Sequence, residues 1–367
     1  MSILSEGDHI RGSYRIERMI GEGAFAEVYR VQHRFLGRQA MKVFKDEVES
    51  LEDVERMLSE AVLLSKIGHP NVIRVFDADV LERKDGHFGF FTMEYVPGGS
   101  LDSYWRSYRN SLMPVKDAVE ILQQVCAGIG LAHSENPPIV HRDIKPQNIL
   151  IGYDGSGTRV RVGDFGLAKR VNPLTLLVSA RGTLGFKPPE SFENMDSPAA
   201  DVWSLGTTLY LLLTDSFPYP ELVDRDIAKG VTNLGKARPP SFYNAIVDEW
   251  LDSIVSKCLY LDPAARYPTA IDLGRDLIRW QNESDQEETS KRVFVESGSS
   301  KDILGSNKEM GKSGDAKIKA SRALELAKQP GRLTEAADLL EEAITKLPDI
   351  RAQYEPLIRL WRRGICM

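Results

Sequence analysis

The stretch HRDIKPQN, residues 141–148, sets Asp143, Lys145 and Asn148 in one polar loop between an apolar helical run and the apolar ILI at 149–151. A second loop, GDFG at 163–166, adds Asp164. Asp143, Asn148 and Asp164 are hard oxygen donors, suited to Mg²⁺ with nucleotide phosphates completing its shell. Lys145 follows Asp143 by two positions, so an extended loop projects both to one side, where the ammonium would neutralise a phosphoryl group in transfer. Between the loops, ILIGYDGSGTRVRV reads as a β-hairpin with Asp154-Gly155 at its turn. Such a hairpin holds the two loops side by side.

Phosphate chemistry needs further partners, and the N-terminal third offers them. GEGAFAEV at 21–28 places glycines at 21 and 23, where a backbone can approach phosphate without a Cβ clash. Taken alone this is equally an ordinary hairpin turn. The alternation of EVYRVQH excludes a dinucleotide fold, which needs a helix directly after the glycines. Lys42 ends the strand-like AMK, and Glu60 sits inside the apolar stripe of the following helix. Met57, Glu60 and Leu64 stand at i, i+3 and i+7, so the carboxylate faces inward. A buried carboxylate calls for a cation, and Lys42 on a facing strand is the candidate. The alternative is a solvated glutamate at the edge of an amphipathic helix.

These residues must be positioned by elements the sequence also specifies. IERMI, EVYRVQH, QAMKVF, VIRVFDADV and FGFFTME are short, β-branched or aromatic runs between 14 and about 95. One helix interrupts them, with Leu51, Val54, Leu58, Ala61, Leu64 and Ile67 at helical spacing. From about 96 to 280 the pattern is mainly helical. The fold class is therefore α+β, with a strand-rich small lobe and a helical large lobe.

Composition bounds the rest. A hydrophobic fraction of 42% supports a large core, and a net charge of −6 disfavours nucleic acid as a partner. Three dispersed cysteines argue against a zinc site or a disulfide framework and fit a reducing compartment. No signal peptide or membrane span is evident, so the expectation is a cytoplasmic protein with no membrane partner. Residues 281–315 hold seven serines, four glycines, eight acids, five bases and only six apolar residues, too few to offset the entropy of ordering. They read as a flexible linker. GSNKEMGKS within it has one residue too many between its glycines for a phosphate-binding loop. In the helical segment 316–367, Ala336, Leu340, Ala343 and Pro348 have the offsets of a tetratricopeptide second helix. Tyr354, Leu357 and Trp361 resemble the start of another repeat. An amphipathic helical hairpin of no particular family fits equally well.

Taken in order, the Gly-rich loop, AMK, HRD…N, DFG and PPE at 188–190 resemble the signature set of eukaryotic-type serine/threonine protein kinases, across about 14–280. The wording is closest to bacterial members. The resemblance implies a two-lobed protein kinase domain using ATP and Mg²⁺, with Mn²⁺ as an alternative. It implies that Lys42 holds the α- and β-phosphates and pairs with Glu60, and that Asp143 accepts or orients the substrate proton. Lys145 contacts the γ-phosphate, and Asn148 and Asp164 bind the metal. Gly21 and Gly23 cover the phosphates, Val28, Ala40 and Leu150 sandwich adenine, and Met93 is the gatekeeper. The backbones of Glu94 and Val96 bond the adenine edge. Asp201 anchors the catalytic loop, and Arg266 pairs with Glu190. Arg142 pairs with a phosphate on the activation segment, whose acceptors are Thr175, Ser179 and Thr183. Thr183 matches the substrate-loop threonine.

Two departures stand out: Ala26 replaces the third glycine, and PPE replaces APE. Neither removes a charge the chemistry needs. The implied partners are protein substrates, plus a protein bound by the C-terminal helices. The alternatives are a nucleotide-binding pseudokinase scaffold and a small-molecule kinase of related fold. The intact charged set weighs against the first, and GTLGFKPPE, the peptide platform of protein kinases, against the second.

Overall fold

The computed structural model describes residues 2–48, 50–83, 86–108, 111–154, 157–165, 184–193, 197–224 and 234–298, and beyond them 319–320, 322–324, 326–327, 332–346, 354, 357–358 and 360–361. Thr175, Ser179 and Thr183 lie outside the described residues. The chain divides into two compact units, Met1–Ser284 and Asp285–Met367.

The first unit begins with an antiparallel sheet of six strands in the order β1-β2-β3-β4-β6-β5. The strands are β1 (His9–Ile10), β2 (Tyr14–Glu22), β3 (Ala26–His33), β4 (Gly37–Glu47), β5 (Val75–Arg83) and β6 (Gly86–Glu94). Helix α1 (Leu51–Lys66) starts where the Ser50 hydroxyl accepts from Asp53 N–H, with acids in its first turn and Lys66 in its last. It covers one face of the sheet, where Leu58 and Ala61 join Ala26, Phe44 and Phe91. On the other face Leu4 and Ile10 pack with Tyr29, Val31, Met41, Val43 and Phe90. Residues 2–13, which the sequence reading left outside the first domain, thus supply part of its core. Their apolar positions are too few and too short to show a period.

The large lobe is built on α2 (Leu101–Arg106), α3 (Val115–His133), α4 (Pro198–Thr214), α5 (Glu221–Asp224) and α6 (Glu249–Cys258). Helix α4 opens with Pro198 in its first turn and is buried along almost its whole length, as its all-round apolar sequence requires. The last helix, α7 (Ala270–Gly298), continues past 280. The expected linker is therefore helical as far as Gly298, because RWQNESDQEETSKRV is rich in good helix formers and free of glycine and proline. Strands β7 (Ile149–Asp154) and β8 (Gly157–Val162) form the expected hairpin. Asp154 pairs with Gly157 at the end of the ladder, and Gly155 of the expected turn lies outside the described residues.

In the second unit, α8 (Leu333–Lys346) places Ala336, Leu340 and Ala343 on one buried face. They pack with Ala320, Ala323, Ala327, Ile358 and Trp361. Pro348 lies outside the described residues.

Candidate active site

Antiparallel register puts Lys42 on β4 opposite Val28 of β3 and Phe91 of β6, in the centre of the sheet. Its ammonium lies 2.9 Å from Glu60 Oε2 on α1 and 2.5 Å from Asp164 Oδ1. Lys42 and Glu60 are 5% and 3% exposed, which decides between the paired and the solvated reading of Glu60. Burial alone would lower the Lys42 pKa, but the Asp164 and Glu60 carboxylates hold it above its ordinary value. Burial pushes the Glu60 carboxyl up to about 7, against the pull of Lys42. For Asp164 burial works upward, yet Lys42 keeps its pKa below the ordinary carboxylate value. The Asp164 side chain is 43% exposed, so one face remains open to the cleft.

The catalytic loop is a closed set of hydrogen bonds. Lys145 Nζ donates to Asp143 Oδ2 at 2.8 Å, and Asn148 Nδ2 donates to the same oxygen at 2.9 Å and to the Asp143 carbonyl at 2.8 Å. The amide nitrogen of Asn148 is thus committed to Asp143, which leaves its oxygen as the donor for a cation. Asp201, 1% exposed on α4, receives His141 N–H at 2.6 Å and Arg142 N–H at 2.8 Å. Arg142 and Asp164 are both left-handed, with φ of 70° and 57°. Such non-glycine conformations cost energy and persist where the surroundings fix them. Asp201 does so for Arg142.

Two histidines that sequence reasoning passed over complete this frame. His133 closes α3, receives Ala270 N–H on Nδ1 at 3.2 Å, and so carries its proton on Nε2, which donates to Asp201 at 3.0 Å. His141 receives Asp143 N–H on Nδ1 and donates from Nε2 to the Gly163 carbonyl at 2.9 Å. Its ring meets Phe165 at a centroid distance of 4.4 Å. One imidazole therefore couples the Asp143 loop to the Asp164 loop. The available signal was its place in HRDIKPQN, two residues before Asp143.

The residues expected to line a nucleotide cleft lie on β3, β4 and β6 and at the start of β7. Ala40 pairs with Met93 across β4 and β6, and Leu150 bridges to Ser100 beside the hinge. Glu94 N–H donates to the Arg74 carbonyl at 2.8 Å, so its contribution to an adenine edge is limited to its carbonyl. In the hinge segment after Val96, a Cβ on Gly98 would stand 2.2 Å from the Ile151 carbonyl oxygen, so only glycine fits. Gly21 and Gly23 differ: neither has a positive φ, and a Cβ on either would meet nothing nearer than 3.6 Å. The fold does not demand glycine at either position. Ala26 is buried among Phe44, Leu58 and Phe91, so its methyl packs into the lobe. Arg266 holds Glu190 through both guanidinium ends, at 2.5 and 3.0 Å, and stacks over Trp203. Among the described residues no group of three or more His, Cys, Asp or Glu side chains could hold a metal unaided. The Asn148 and Asp164 oxygens do fit a hard cation whose other ligands are phosphate oxygens.

A strand-rich lobe and a helical lobe thus meet at a lysine–carboxylate network and an aspartate-bearing loop. The protein kinase domain model matches residues 14–274, and the chain belongs to the protein kinase family. Curated relatives include the serine/threonine-protein kinase PrkC of Bacillus subtilis, 32% identical over 278 residues, covering 74% of this chain and 41% of that protein. PknB of Mycolicibacterium smegmatis is 31% identical, with 75% and 44% covered. The chain thus spans less than half the length of these relatives. The kinase domain of Mycobacterium tuberculosis PknI shares the fold, with a TM-score of 0.57 and 24% identity over 75% of this chain and 99% of that one. Among the described residues no helix is long and apolar enough to cross a membrane.

Proposed function

We propose that this chain is an active serine/threonine protein kinase that transfers the γ-phosphoryl group of ATP to protein hydroxyls. The observation that carries this reading is the position of Lys42 between Glu60 and Asp164, which ties the phosphate-holding strand to α1 and to the metal-binding loop at once. Asp143 Oδ1 accepts the substrate hydroxyl's hydrogen bond and takes its proton as the new O–P bond forms, while ADP leaves. Lys145, held on Asp143 Oδ2, presents positive charge to the phosphoryl group in transit. Asn148 and Asp164 would hold Mg²⁺, or Mn²⁺ in its place, which when bound neutralises phosphate charge. Lys42 orients the α- and β-phosphates, and the hinge carbonyl of Glu94 and the backbone of Val96 take the adenine edge.

The kinase domain then occupies about 14–280, supported by the N-terminal core residues, and the helices of 316–367 serve as a protein-binding tail. Phosphate on Thr175 or Ser179 would pair with Arg142 and raise activity, whereas phosphate on Thr183 would block the substrate. Buried free thiols at Cys126 and Cys258 suit a reducing cytoplasm. The test is incubation of the full chain with γ-labelled ATP, Mg²⁺ and a generic protein substrate, with Asp164→Asn as control. Label on serine and threonine from wild type alone is the expected result. Nucleotide binding without transfer by phosphorylated wild type would instead make the chain a scaffold.

A further inference from the structure

Strand β3 has two faces. Ala26 and Val28 turn toward α1 and the nucleotide cleft, whereas Glu27, Tyr29 and Val31 turn to the opposite face of the sheet. Glu27 is a carboxylate only 2% exposed, and among the described residues no cation pairs with it. Its hydrogen bonds come instead from the Ile3 N–H at 2.8 Å and from the Tyr29 hydroxyl. That hydroxyl in turn accepts the Leu4 N–H at 3.0 Å. The Leu4 side chain is 2% exposed in the same cluster as Tyr29. A buried carboxylate is tolerable only while its acceptors are filled, so Glu27 and the N-terminal segment hold each other in place.

The position of Glu27 gives this contact a consequence in the cleft. It stands directly across from Glu22 at the base of the Gly-rich turn, next to Ala26, whose carbonyl accepts Gly23 N–H at 2.8 Å. Like charges opposed across two strands push them apart. Here each has its own partner, since Glu22 pairs with Lys45 at 2.6 Å. Release of the N-terminal segment would leave that carboxylate, at the base of the turn that covers the phosphates, with the Tyr29 hydroxyl but without the Ile3 N–H.

We propose that residues 2–10 form a strap that positions the Gly-rich hairpin for nucleotide, with Glu27 and Tyr29 as the positioning residues that catch it. The proposal rests on the nucleotide site assigned above. Its test uses the full chain, comparing Ile3→Pro, which deletes the N–H donor, with Ile3→Ala, which keeps it, and with Glu27→Ala. The readouts are Mg-ATP affinity by calorimetry, amide exchange over 21–28, thermal midpoint, and KM against kcat.

Ile3→Pro and Glu27→Ala should each weaken Mg-ATP about three- to ten-fold, as loss of one charge-assisted hydrogen bond shared between hairpin order and binding. They should speed exchange over 21–28 and raise KM while kcat at saturating ATP holds. Ile3→Ala should stay within about two-fold of wild type. Unchanged nucleotide affinity in both Ile3→Pro and Glu27→Ala, or an equal loss in Ile3→Ala, would overturn the proposal and leave the segment as packing only. Wild type that binds Mg-ATP without transferring phosphate would fault the kinase reading alone, because the strap is judged on affinity and exchange.

Discussion

Asp201→Asn probes how far the catalytic loop depends on a residue that touches neither nucleotide nor substrate. The carboxylate takes His141 N–H and His133 Nε2–H on one oxygen and Arg142 N–H on the other. An asparagine can keep the doubly bonded oxygen, but its amide then sets N–H against the Arg142 N–H. One charge-assisted bond is lost and a buried donor is left facing a donor, at about 1–3 kcal/mol. At roughly 2–4 °C per kcal/mol for a domain of this size, thermal unfolding should fall by about 2–12 °C. The displaced donor is the residue before Asp143, and Arg142 is held at φ 70° by that bond. A shift of about 1 Å there should lower kcat by ~10²-fold. Affinity for Mg-ATP should change less than about two-fold, since Lys42 and the hinge are separate from this anchor. Scanning calorimetry, single-turnover transfer and nucleotide titration read the three quantities independently. A variant with wild-type kcat would refute the anchoring argument, and one that loses ATP affinity as much as kcat would show that Asp201 acts on the cleft as a whole.

Lys42→Met should abolish transfer, and it should also destabilise the small lobe by about 3–5 kcal/mol, because two carboxylates lose their shared cation; unfolding curves at neutral pH check this. Asp143→Asn should lower kcat by ~10²–10⁴-fold with nucleotide affinity nearly unchanged, and normal turnover would assign the proton to another group. The Glu60 carboxyl, raised from 4.5 to about 7, predicts opposite pH trends for stability and activity. Because the folded value is the higher one, its contribution to stability is complete below 4.5 and is lost as pH rises through 7. Transfer needs the ionised form, so kcat/KM should decline below about 7, and Glu60→Gln should remove that limb along with most of the rate. Ending the chain at Ser284 should leave a folded, nucleotide-binding unit, and an insoluble fragment would contradict the division at that point.

The sequence by itself determined the scaffold and which polar residues it carries. Types and spacing placed Asp143, Lys145 and Asn148 on one loop and Asp164 on the next, because loop residues near in sequence stay near in space. Strand alternation and the α1 stripe fixed which way Lys42 and Glu60 point, since side-chain direction follows local periodicity. Tertiary structure alone decided what meets across long separations. The pairing of Lys42 with Asp164, 122 residues away, is set by how the lobes close, and no local period encodes it. The tautomers of His133 and His141 depend on backbone groups that only packing delivers. The N-terminal strap was invisible for the same reason. Its isolated Ile3, Leu4 and Ile10 carry no period, and they gain a role only once the sheet presents Glu27, Tyr29 and an apolar face to receive them.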